Sequence, residues 1–197
     1  MEKKTTRRRG KELEHDILEA AWKEFQDKGY GKTSMEGIAK RAKTTKTVLY
    51  RRWPKKAIIF LMAFRKFGPQ IRQSDADTGN LRDDLIELLE PTIQFLEIVG
   101  KEAAQGLVVD QLGSHVFDLF KQISSEENET VERIMKVLTR ADKRGEVNIS
   151  KISKRAVRLP VMLVVDALLT DGFITKKDLL EIVDNVLVPT YKYSLNK

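Results

Sequence analysis

At 197 residues the chain can form one domain or two small ones, and it is long enough to bury a substantial core. Its net charge of +7 is uneven: residues 1–56 hold 17 Lys and Arg against 8 Asp and Glu, and residues 57–197 hold 19 against 21. Cysteine is absent, which excludes disulfides, zinc–thiolate sites and thiol nucleophiles, and no apolar run approaches the ~20 residues that cross a bilayer.

Residues 1–10 read as a flexible basic tail, because the cations of "MEKKTTRRRG" have no apolar core behind them; for the same reason they are not a signal peptide. A soluble, cytoplasmic protein is the expectation. From Leu13 onward helical periodicity takes over. Leu13, Ile17, Leu18, Ala21, Trp22 and Phe25 recur at three and four, and Gly29 stops the turn. Thr33 is placed to N-cap a short helix, with Glu36 closing a capping box and Met35, Ile38, Ala39 and Ala42 facing inward. A three-residue break, Lys43 to Thr45, leads to a second short helix capped by Thr45. Its buried side is Val48, Leu49 and Trp53, and Pro54 ends it. "KKAIIFLMAFRKF" makes a fourth helix, up to Gly68–Pro69. Two short helices separated by three residues and braced by longer ones form a helix-turn-helix.

The polar stretch "GPQIRQSDADTGN" marks the boundary between a domain over residues 11–71 and a second over 72–197. Beyond it the spacing predicts helices from Leu81 to Val99, kinked or shifted at Pro91, and from Lys101 to Leu112. A longer segment from Ser114 to Lys143 follows, interrupted near "SSEEN". Then come a loop at "KRGEVNIS", a strongly apolar helix from Ile152 to Thr170 kinked at Pro160, and a last helix. That one is opened by Thr175 with Asp178 and stopped by Pro189. The fold class is all-α.

After Glu36 no acid occurs until Asp75, although the chain holds 29 acids. DNA presents a phosphate about every 1.7 Å of axis, so an acid on a docking face is repelled and each cation releases counterions. In the second short helix Thr47, Tyr50 and Arg51 lie opposite the buried side, with Lys46 at the edge and Thr44 and Thr45 at the N-terminus. A recognition helix turns this end toward base edges or phosphates. Threonine offers a hydroxyl to phosphate and a methyl to thymine. Lys55 and Lys56 open the next helix, where ammonium groups and amides both meet a DNA backbone.

Residues Ile17 to Phe60 resemble the DNA-binding module of the TetR (tetracycline-repressor) family of bacterial transcriptional regulators. The motifs are the aromatic-rich first helix, Lys28-Gly29-Tyr30, Thr33-Ser34, Ile38-Ala39, Lys46, Leu49-Tyr50, and Pro54-Lys55-Lys56 after Trp53. The resemblance implies a three-helix helix-turn-helix DNA-binding domain plus a larger helical-bundle regulatory and dimerisation domain. It carries phosphate and base contacts onto Thr33, Thr44, Thr45, Lys46, Thr47, Tyr50 and Lys56; with Ser34, Arg51 and Lys55 these make the expected DNA-binding set. Lys43 stands where the family commonly has Gly and requires a positive φ, Thr47 replaces a small residue, and Trp53 replaces Phe.

The two last helices are apolar enough either to lie buried within the chain or to pair with their copies about a two-fold axis. The resemblance favours the homodimer. Candidate ligand residues on the central helices are Gln111, His115, Phe117, Phe120, Met135 and Met162, although ordinary core packing is the better account of each Phe and Met taken singly, and a satisfied or surface role that of His115. The expected function is a homodimeric transcriptional regulator: a repressor of a nearby operon, bound to a palindromic operator on double-stranded DNA and released by a small molecule. The alternative is an architectural or division-linked DNA-binding protein of the same fold without an effector. No catalytic residue, metal site or cofactor is expected, since the chain has only His15 and His115, no phosphate-binding glycine loop and no metal-spaced ligands.

Overall fold

The computed structural model describes residues 10–112 and 129–196, with the side chains at 111 and 112 outside that description. All regular structure among the described residues is helical. The chain divides into two compact units, Met1–Gln70 and Ile71–Lys197.

In the first unit α1 (Lys11–Lys32) packs against α4 (Lys56–Phe67) and α2 (Met35–Arg41), and α2 carries α3 (Lys46–Arg52). Of the apolar positions read from the sequence of α1, Ile17, Leu18, Ala21 and Phe25 are buried and Leu13 and Trp22 half-buried, while Ala20 is buried as well. Gly29 adopts φ 74° and breaks the helix, so that Tyr30 turns inward. There Phe25, Tyr30 and Phe60 form a mutual cluster with ring centroids 4.7–5.9 Å apart, two of the three pairs edge-on. Trp22 lies edge-on to Phe64 at 5.7 Å, and Trp53 is buried, so both tryptophans belong to packing.

One expectation is corrected here. The N-cap of α2 is Ser34, whose Oγ accepts from the Gly37 N–H at 3.1 Å. Thr33 instead closes α1: its hydroxyl donates to the carbonyls of Gly29 at 2.8 Å and Glu24 at 3.3 Å. The Gly29 break moves the start of α2 one residue later than capping preference alone suggests.

The turn between α2 and α3 is a Schellman closure. The Thr44 N–H donates to Ala39 O at 3.0 Å and the Lys43 N–H to Lys40 O at 3.2 Å, with Lys43 in the left-handed region at φ 52°. Thr45 then starts α3 in extended geometry, and Trp53, held extended by Pro54, ends it.

In the second unit α5 (Leu81–Leu112) turns sharply at Gly100, φ 78°, which yields the two segments expected on either side of that residue. Pro91 does not break it: the helix runs through Pro91 in regular geometry. Then come α6 (Glu129–Lys143), a short 3₁₀ turn at Ile149–Lys151, and α7 (Lys154–Thr170), capped by Ser153 and with Pro160 inside it. The last stretch runs from α8 (Lys176–Ile182) through a π turn, Val183–Leu187, into α9 (Val188–Lys192). The Thr175–Asp178 capping box is formed. Pro189 does not stop the helix as expected. It has no N–H to donate and its ring crowds the carbonyl four residues back, and the wider π turn absorbs both defects so that the chain continues helically.

The core of this unit gathers Leu81, Leu85, Leu89 and Ile93 from α5, Ile134 and Leu138 from α6, and Ile174, Leu179 and Tyr191 from the C-terminal stretch. Burial pushes the Tyr191 hydroxyl well above its ordinary pKa, and it donates to Ala156 O at 3.0 Å, tying α9 to the start of α7. Candidate ligand residues His115, Phe117 and Phe120 lie outside the described residues.

Candidate nucleic-acid interface

Leu49 is wholly buried beneath α3 and Trp53 anchors its end, so the helix is fixed from below. What remains outward is Thr45, Lys46, Thr47, Tyr50 and Arg51, all exposed, with Tyr50 at 43%. A large aromatic left that open is polar-tipped and can place its hydroxyl on a partner. Thr45 caps α3 with its backbone alone, accepting from Val48 at 3.0 Å and Leu49 at 3.3 Å, while its side chain makes no cap hydrogen bond. Thr44 is half-buried in the turn and Ser34 is exposed at the start of α2.

Two cations are tied to the protein. Lys56 is half-buried, donates to Tyr30 O at 3.1 Å and sits 4.2 Å above the Tyr30 ring. Lys55, its neighbour, is half-buried at the N-terminus of α4. Lys46 lies 5.7 Å from the Tyr50 ring centroid and donates to the carboxylate of Glu36. That pairing holds the Glu36 carboxyl below its ordinary range and raises the Lys46 ammonium. Glu36, the last acid before the acid-free run, is therefore on the same surface as Lys46, which spacing along the chain did not reveal.

Thr33 leaves the expected set: it is 3% exposed and its hydroxyl is committed to two carbonyls inside the unit. Its part is to hold the α1–α2 corner.

Beneath α2 a buried carboxylate organises the corner. Glu24 is 2% exposed and accepts from Lys28 at 2.5 Å and from Arg41 Nε at 2.8 Å, and Arg41 reaches on to Asp27 at 2.6 Å. The hydrogen bond from Lys28, against the opposing effect of burial and with help from Arg41, keeps the Glu24 carboxyl below its usual pKa. This charge is paired twice, as a buried charge must be. Only the Lys28 half, at helical spacing from Glu24, was visible in sequence.

The second unit holds a groove of 490 Å³ between α6 and α7. Val131, Met135 and Val157 line its apolar part, and Lys136, Lys154 and Arg158 bring cations to it against the single acid Glu132. Met135 is the one expected ligand residue found there. Met162, half-buried on α7, is not among the lining residues, and Gln111 lies on α5 with its side chain outside the description. Among the described residues no group of His, Asp and Glu is arranged to hold a metal, and no helix is long and apolar enough to cross a membrane.

A short acid-free helix, fixed from below and presented on a Schellman turn after a capped helix of matching length, defines a helix-turn-helix DNA-binding regulator. The family model described as "Bacterial regulatory proteins, tetR family" matches residues 17–63. HTH-type transcriptional regulators of Mycobacterium bovis and Mycobacterium tuberculosis are each 27% identical over 178 residues, covering 90% of this chain and 87% of theirs. The DNA-binding transcriptional repressor TetR of Mycobacteroides abscessus is 35% identical over 78 residues, covering 40% of this chain and 41% of that protein. Among solved structures, the TetR family transcription regulator SCO0332 superposes with a TM-score of 0.57 at 18% identity, covering 90% of this chain and 97% of that one. At that identity the superposition speaks for the fold. Residues 17–63 thus match the DNA-binding module of the TetR family, and the chain is a DNA-binding transcriptional regulator.

Proposed function

We propose that the protein is a homodimeric, cytoplasmic repressor of a nearby operon, bound to a palindromic operator and released by a small molecule. In this reading residues 11–71 bind DNA and residues 72–197 bind the effector and dimerise. The observation that carries it is the outer face of α3: Thr45, Lys46, Thr47, Tyr50 and Arg51 stand exposed on a helix whose other side is locked by Leu49 and Trp53. Thr47, midway along this face, reads base edges. Tyr50, Ser34, Thr44, Lys55 and Lys56 meet phosphates or brace the residues that do.

Dimerisation is supported by apolar surface on the C-terminal helices. Leu159, Met162 and Val165 are half-buried along α7 and Leu169 is 46% exposed, while Ile182 and Val186 are half-buried on the last stretch. A two-fold pairing of these faces buries them and supplies two reading heads, to be set ~34–36 Å apart for successive major grooves. Repression is favoured by the relative described as a repressor. Effector binding is favoured over the architectural alternative by the 490 Å³ groove, which reaches the ~300 Å³ scale of small-molecule sites. Footprinting of the gene's own upstream region should show a protected palindrome. Salt-sensitive binding without sequence preference would overturn the repressor reading.

A further inference from the structure

We propose that Glu36 is an internal competitor for DNA: its carboxylate occupies the ammonium of Lys46 that a phosphate would otherwise take, and so weakens the sequence-independent part of DNA binding. The inference rests on the reading of α3 as the groove-facing helix.

Glu36 lies in the first turn of α2 and Lys46 is the first residue of α3, ten positions on. Both are open to water, Lys46 at 51% and Glu36 at 58%, so the pair is not a packing device. An exposed pair of this kind contributes little to stability. Stability is therefore a poor reason for an acid here, at the edge of a run in which residues 37–74 carry none. Its effect on DNA binding is larger and has a definite sign. When Lys46 moves to a phosphate it must leave Glu36, and the carboxylate is left beside the polyanion, where it gathers a counterion of its own. The counterion released from DNA is thereby offset, and the gain from Lys46 is largely cancelled. Base contacts made only at the operator do not pass through this exchange. A unit with a strongly positive N-terminal end thus gives up part of its sequence-independent affinity.

The test uses the full chain and two duplexes, the operator and one of unrelated sequence, titrated over a range of salt concentrations. Glu36→Gln should tighten binding to the unrelated duplex by about three- to five-fold at low salt, the most that an exposed ion pair supports. It should also steepen the dependence of log K on log salt by about one. In a Lys46→Gln background the same Glu36→Gln change should lose more than half of both effects, because the competed cation is gone. Thermal melting of each variant checks that the fold is retained. Unchanged or weaker binding by Glu36→Gln overturns the proposal. So does an effect that persists in full without Lys46, since the carboxylate then acts on phosphate directly. If the wild-type chain binds neither duplex, the groove-reading assignment itself fails, an outcome distinct from equal binding by wild type and variant.

Discussion

Among the described residues of the DNA-binding unit, Lys43 is the one non-glycine residue with a positive φ. The Schellman closure of α2 demands a left-handed residue after the helix, and Lys43 meets the demand at φ 52°. A side chain there suffers a clash between Cβ and the carbonyl that glycine avoids, worth on the order of 1 kcal/mol. Lys43→Gly should raise the stability of the chain by roughly that amount, read as a higher urea midpoint with an unchanged slope. Six residues earlier the opposite holds. A Cβ at Gly37 would stand 2.5 Å from Oε1 of Glu24. That carboxylate is buried and held by Lys28 and Arg41, so it cannot swing away without giving up one of them. Gly37→Ala should therefore destabilise the chain by about 1–3 kcal/mol, on the same assay. If its midpoint matches the wild type, the Glu24 clamp is looser than drawn.

At the scale of elements, α3 separates two kinds of contact that mutation can tell apart. Tyr50 is exposed and offers a hydroxyl without charge; Tyr50→Phe removes it and should weaken all duplexes by a similar factor, ~3–10-fold, with little change in the salt slope. Thr47 sits in mid-face with a hydroxyl and a methyl, so Thr47→Ala should instead reorder a panel of operator variants, with changes of about 1 kcal/mol at one base position. An unaltered ranking would mean that α3 is rotated from the orientation described. Much of this arrangement was legible in the sequence. Leu49, Trp53 and Pro54 define the buried side and the end of α3, and Lys43 in a glycine's place announced the left-handed turn. Helix breaks at glycine were equally plain, because Gly29 and Gly100 are sites that only a residue without Cβ occupies freely. The misreadings have a common cause, namely that one residue satisfies two local rules and tertiary geometry chooses. Thr33 could cap α2, but its hydroxyl finds the carbonyls at the end of α1 and Ser34 takes the cap. Pro189 could stop a helix, but a π turn carries the chain past it. The Glu36–Lys46 and Glu24–Arg41 pairs, ten and seventeen residues apart, cross from one helix to another, and no periodicity within an element encodes them.

At the scale of the whole molecule, acid sensitivity follows from how carboxylates are used. In the second unit Asp84 is fully buried at the first turn of α5. It accepts from the Thr78 N–H at 2.6 Å, the Thr78 hydroxyl at 2.8 Å and Arg144 at 2.7 Å. Arg144 also donates to Glu146 at 2.6 Å, and Glu146 caps the Leu81 N–H at 2.8 Å, so one ionic chain closes the corner between α5 and the end of α6. Burial alone would raise the Asp84 pKa, but the Thr78 and Arg144 hydrogen bonds outweigh it and the carboxyl is held below its ordinary value. Glu24 in the first unit and Asp178 and Asp184 in the second are displaced in the same direction. A carboxyl with a depressed native pKa binds protons more readily when unfolded. Its contribution is therefore complete above the ordinary carboxylate pKa of about 4 and disappears as pH falls through the native value. The chain should accordingly hold its stability near neutrality and lose it steeply below about pH 4. Asp84→Asn isolates the largest buried member of the set. It removes the charge facing Arg144, which retains Glu146, and should lower stability at neutral pH by about 2–3 kcal/mol. Because asparagine does not titrate, the variant should also lose less stability than the wild type between pH 5 and pH 3, so that the two denaturation curves converge in acid. Parallel curves across that range would show that Asp84 titrates alike in the folded and the unfolded chain, and that the Arg144 pair is not what holds α5 and α6 together.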